Sequence, residues 1–119
     1  MELIATLATV FVAFLHFYIM YIEMFLWDTP KGMKIFGLKP DFAKASKVMA
    51  ANQGLYNGFL AVGLLWSLWL GDGGSHVTIF FLLCIIVAGV YGAITSSKKI
   101  LFVQGLPSLM ALIAVLLTG

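Results

Sequence analysis

Glu23 lies inside the apolar run HFYIMYIEMFLW, seven residues after the His16 that opens it. A carboxyl in such surroundings can take up and release a proton, accept hydrogen bonds from neutral donors, or pair with a cation. A second concentration of polar groups falls in ANQGLYNGFL, residues 51–60, where Asn52, Gln53, Tyr56 and Asn57 precede the apolar AVGLLWSLWL. Tyr91 and Gln104 interrupt two further apolar stretches. Amides and phenols around one carboxyl suit reversible hydrogen bonding to a small molecule, or a proton relay. They do not make a nucleophile with its base. The sequence has no phosphate loop, paired-cysteine motif, HExxH or nucleophile elbow. His76 and Asp72 flank a glycine-rich turn, but two candidate ligands fall short of a metal site. The single cysteine, Cys84, sits in the middle of an apolar stretch and reads as a small buried hydrophobe. No catalytic residue, metal ligand or cofactor is assigned on these grounds.

The elements that must carry these groups follow from composition. Of 119 residues, 62% are hydrophobic and 10% charged, whereas a soluble domain carries about 25% charged residues. A water-facing surface cannot be assembled from this chain. Four apolar stretches, residues 3–27, 48–70, 76–95 and 100–118, each approach the ~20 residues that cross a ~30 Å hydrocarbon core as a helix. The expected fold is therefore all-α, an integral membrane four-helix bundle forming one domain over residues 1–119. The first stretch lacks a basic n-region, is too long for a signal h-region, and carries His16 and Glu23, so it reads as a retained helix.

All seven basic residues are lysines. Lys31, Lys34, Lys39, Lys44 and Lys47 fall between the first two stretches, and Lys98 and Lys99 between the last two; the remaining turn, GDGGS, has an acid and no base. Cationic loops stay cytoplasmic, so both termini and the GDGGS turn are expected outside. Trp27 at the inner end of the first helix, and Trp66 and Trp69 at the outer end of the second, agree with the headgroup preference of indole rings. Anionic lipid is the partner this lysine pattern suggests, and nucleic acid is not expected. The connecting segment DTPKGMKIFGLKPDFAKASK reads either as a short interfacial segment or as a disordered tether.

Depth follows from a rise of ~1.5 Å per residue. Glu23 is four residues before Trp27, Asn52 four after Val48, Tyr91 four before Thr95 and Gln104 four after Ile100. Each is expected about 6 Å inside the cytoplasmic boundary on that rise, with Gln53, Tyr56 and Asn57 extending the polar layer toward the midplane. His16 and Glu23 share a helix face but stand about two turns apart, ~10.5 Å. On the second helix Asn52 and Tyr56 point one way with Gln53 and Asn57 beside them, while Gly54, Gly58 and Ala61 form a small-residue side suited to a neighbouring helix, and hence to a homo-oligomer. An intramembrane acid costs roughly 2.5–3.5 kcal/mol on insertion scales, so Glu23 is expected to be paired, protonated or wet. The candidate cations are His16, Lys47 and Lys99. Taken singly, Asn57, Tyr91, Gln104 and Ser108 read as ordinary interhelical contacts and His16 as a packing histidine; Glu23 and the convergence on one level point to a site. Pro107, one turn into the last stretch, is expected to kink it beside Gln104.

The segments HFYIMYIEMFLW, AANQGLYNGFLAVGLLW, AGVYGAIT and KKILFVQGLPSLMALI resemble the small bacterial membrane proteins catalogued as domain of unknown function 1304, over nearly the whole chain. That resemblance implies a four-helix membrane protein and carries no activity with it. In architecture the chain is also similar to the membrane-associated eicosanoid and glutathione metabolism family, short four-helix enzymes that assemble as trimers around glutathione. Lys44, Lys47 and Asn52 roughly mimic the basic-then-asparagine opening of that family's second helix, but arginine is missing and Gln53 to Asn57 lack the acid that follows. The leading functional expectation is a non-enzymatic protein that binds or moves a small molecule or proton, or supports other membrane components, through the polar layer. The alternatives are a membrane-embedded transferase or isomerase of glutathione or lipid type, and a packing module.

Overall fold

The computed structural model describes residues 2–118, and all regular structure among them is helical. Helix α1 covers Leu3–Tyr21 and passes directly into a π-helical turn, Ile22–Leu26. Helix α2, Pro30–Phe36, is short and capped at both ends. Thr29 accepts from the Gly32 amide at 3.3 Å, and Pro30 occupies a first turn where its missing N–H leaves nothing unpaired. At the other end Gly37 adopts φ +65°, and the Leu38 amide reaches back to the Met33 carbonyl at 2.8 Å, closing a Schellman turn. The connecting segment is thus a capped helix running into a second one rather than a disordered tether.

Helix α3, Pro40–Trp69, runs for 30 residues and begins well before Val48, where the apolar pattern starts. Pro40 suits a first turn, Asp41 complements the helix N-terminus, and the lysines of FAKASK are good helix formers, so charge here does not end the helix. Hydropathy marks where a helix becomes apolar, which is a different boundary. A 3₁₀ turn, Gly71–Gly74, leads into α4, Ser75–Thr95. Next come α5, Lys98–Ile100, a second π turn, Leu101–Gly105, and α6, Leu106–Thr118. The disturbance expected at Pro107 takes the form of that π turn. Proline cannot donate and crowds the carbonyl four residues back, and the Leu106 amide bonds to Leu101, five residues back.

Three helical segments, Leu3–Leu26, Gly71–Thr95 and Lys98–Thr118, are long and apolar enough to cross a membrane. Helix α3 is longer than any of them, but the amides Asn52, Gln53 and Asn57 lower the hydropathy of its charge-free part, residues 48–69, and keep it outside that set.

The chain forms two compact units. In the unit made of Met1–Phe14 and Leu60–Gly119, the core gathers Ala5, Val12 and Ala13 of α1, Leu64 of α3, Leu82 and Ile85 of α4, and Ala111, Leu112 and Val115 of α6. The buried alanines let backbones approach closely, the usual basis of association where lipid offers no hydrophobic drive. Gly89 does the same opposite Gly105: a Cβ there would stand 3.1 Å from the Gly105 nitrogen. Two buried hydroxyls fasten α3 to α4, with Thr78 donating to Ser67 at 2.6 Å and Ser67 donating to the Leu64 carbonyl at 2.6 Å. In the unit Leu15–Phe59, the end of α1 packs on α2 and on the first part of α3. Trp27 packs against Phe36 with the ring centres 5.0 Å apart and the planes tilted by 46°, and donates its indole N–H to Ser46 at 3.0 Å.

Candidate functional site

Within the Leu15–Phe59 unit one carboxyl and one amide meet. Glu23, in the π turn, is 4% exposed, and Asn57 of α3 is 5% exposed. The Asn57 amide Nδ2 donates to Glu23 Oε1 at 2.5 Å. The approach of the two helices follows from glycine. A Cβ on Gly54 would stand 2.8 Å from Met24 Cγ, 3.0 Å from Glu23 Cβ and 3.1 Å from the Met20 carbonyl, and one on Gly58 would stand 2.6 Å from Met20 Sδ. Met20 and Met24 fill these notches with flexible thioether chains, and Asn57, next to Gly58 and three residues after Gly54, lies on the same stripe.

This geometry corrects the expected facing of α3. The small-residue side, rather than the amide side, meets Glu23, and Asn57 belongs to it. The glycine side at Gly54 and Gly58 is therefore filled by Met20 of α1 and by Glu23 and Met24 of the π turn of the same chain. Asn52 is exposed and donates to its own helix, to the Val48 carbonyl at 3.0 Å. Gln53 and Tyr56 are exposed too, and the Tyr56 ring lies 6.1 Å from that of Phe59. His16 is fully buried. Among the described residues no buried side-chain nitrogen or oxygen lacks a hydrogen-bond partner. Lys47 does not serve Glu23: it pairs with Asp28 at 3.3 Å.

Tyr91 and Gln104 belong to the other unit. Tyr91 is 67% exposed and closes an apolar groove along α4 with Phe80, Leu83, Cys84, Val87 and Ala88. Cys84 is half-buried there. Gln104 is half-buried in the second π turn, and its carbonyl accepts from the Ser108 hydroxyl at 2.7 Å. Sequence reasoning passed over the buried Ser67–Thr78 pair. Its signal was present, since two hydroxyl residues flank the GDGG turn inside otherwise apolar helices.

The Glu23–Asn57 contact is compatible with both protonation states of the acid. A carboxylate and the carbonyl oxygen of a carboxylic acid both accept from an amide N–H, so a proton can arrive or leave without breaking the helix contact. A pair of this kind can hold a polar ligand or host a proton.

A family model described as a protein of unknown function, DUF1304, matches residues 10–116. The chain belongs to the DUF1304 family. The matched span includes Glu23, Asn57 and the two glycines between α1 and α3. The chain is also similar to the uncharacterized protein YpaA of Lactococcus lactis subsp. lactis (strain IL1403), at 31% identity over 116 residues, covering 96% of this chain and 98% of YpaA. No solved structure matches. Membership of DUF1304 agrees with the resemblance read from the sequence and brings no activity to the Glu23–Asn57 pair.

Proposed function

We propose that this chain is a four-span protein of the bacterial cytoplasmic membrane in which Glu23 and Asn57 form a site that binds or moves a proton or small polar molecule. In this reading α3 provides the fourth span, the lysine-bearing segments face the cytoplasm, and both termini and the Gly71–Gly74 turn face outward, as the lysine distribution favours. The protein binds or conducts its ligand and does not transform it. One observation carries the reading: an acid in a segment apolar enough to cross a membrane is buried against an amide donor. Such acids are rare and mark ion, proton or substrate paths. Its place in a π turn supports the same reading, because π bulges inside helices cluster at functional positions.

Glu23→Gln tests it, because glutamine keeps the shape and the acceptor oxygen while removing the titratable proton. In proteoliposomes carrying an internal pH dye, the variant is expected to insert and melt like the native chain while losing proton-linked or ligand-linked flux, because the group that takes up and releases the proton is gone. Glu23→Asp is expected to retain part of it. Equal flux in native and Glu23→Gln protein, with equal melting, would reduce the pair to helix packing.

A further inference from the structure

We propose that the corner formed by α2 and the first turns of α3 is a binding surface for anionic phospholipid headgroups. The inference rests on reading α3 as a membrane span. A helix of 30 residues is about 45 Å long, at ~1.5 Å per residue, and the hydrocarbon core is ~30 Å thick. Roughly ten of its residues therefore project beyond the core on that rise. With Trp69 at the opposite end, the projecting part is the lysine-bearing one, and it stands at headgroup level.

Lys31 and Lys34 of α2, Lys39 between the helices and Lys44 of α3 are all exposed. The acids nearby leave a positive excess. Asp28 is taken by Lys47, Glu23 is buried against Asn57, and Asp41 alone remains on the first turn of α3. The lysines are mounted on a built corner. Both ends of α2 are capped, Trp27 ties Phe36 to Ser46, and Gly32 sits against the Leu26 carbonyl, where a side chain would collide with backbone. Phe42, 58% exposed, lies between Lys39 and Lys44 in sequence, and an exposed aromatic there can enter the acyl boundary. Ammonium groups at headgroup level beside an exposed aromatic complement the phosphate of an anionic lipid, each adding to the attraction within a Debye length.

The test uses the full chain in zwitterionic detergent, offered equal amounts of phosphatidylglycerol and phosphatidylcholine, with bound lipids counted by native mass spectrometry. The native chain is expected to prefer phosphatidylglycerol by about tenfold or more. Lys31→Gln, Lys34→Gln, Lys39→Gln and Lys44→Gln combined are expected to abolish the preference with an unchanged melting temperature, while Lys98→Gln with Lys99→Gln retains it. Preference surviving in the fourfold variant, or lost equally in the Lys98/Lys99 variant, would overturn the proposal. Thiol labelling of Lys34→Cys and Gly73→Cys, which flank α3, each in a Cys84→Ser background and in sealed proteoliposomes, separates this outcome from failure of the span reading. Access from opposite sides upholds the span whatever the lipid result, and access from one side overturns the span and the lipid surface with it.

Discussion

Asn52 and Asn57 are the same residue five positions apart on one helix, and their surroundings give them opposite weights. Asn57 is buried and donates to a buried acid; Asn52 is exposed and folds back on its own helix. Asn57→Ala leaves the Glu23 carboxyl without that donor, and a buried polar group stripped of its partner costs about 1–3 kcal/mol. Asn52→Ala removes a local exposed bond and is expected to stay within about 0.5 kcal/mol of the native chain. Thermal melts of the two variants in the same detergent decide this; equal shifts would show that Glu23 does not depend on Asn57. The acid was legible from sequence because nothing in an apolar run explains it. Its donor was harder to single out, because ANQGLYNGFL offers four candidates and only the packing of α1 chooses among them.

At the level of elements that choice is made by glycine. Gly54 and Gly58 were legible as a close-packing side, but not as the side that meets Glu23, since a small-xxx-small stripe specifies a close neighbour without saying which helix it is. A Cβ at Gly54 would meet Met24 Cγ, Glu23 Cβ and the Met20 carbonyl at 2.8 to 3.1 Å. The thioether can swing aside, but the carbonyl can move only with its helix, so Gly54→Ala is expected to cost about 1–3 kcal/mol, the usual range for overpacking. It should also weaken the Glu23–Asn57 contact. Gly73→Ala, which meets nothing within 4 Å, is the matched control. Paired melts, with amide exchange through Ile22–Leu26, would expose a wrong account if both variants behaved alike. Helix α2 is legible in principle, since TPKGMKIFGL carries a threonine cap, a first-turn proline and a terminal glycine; Pro30, Gly32 and Gly37, with Pro40 just beyond, also read as loop signals. The π turns had no such signature, because one extra residue in a turn leaves local composition unchanged.

For the whole molecule, composition settled most of what could be known: too few charges for a water-facing surface, and helices of membrane length. The division into two compact units was not legible, because hydropathy marks how long each helix is and says nothing of which parts of two helices pack together. Orientation rests on charge asymmetry alone, and it makes a definite prediction. Lys34 lies in the lysine-rich segment and Gly73 in the turn without bases; in a Cys84→Ser background each can carry the chain's single thiol. Gly73 has open space where a side chain would stand, and Lys34 is exposed, so neither replacement disturbs packing. In right-side-out bacterial membrane preparations, Gly73→Cys is expected to react with a membrane-impermeant maleimide at once, and Lys34→Cys only after the membrane is opened. The reverse order would invert the protein and put the lysines outside, and equal reactivity would mean that the helices between the two positions do not carry the chain across. The reverse order would also put the proposed Glu23 site next to the opposite aqueous phase, since its place in the π turn, three residues from the end of that turn, sets it close to the side that carries Lys34.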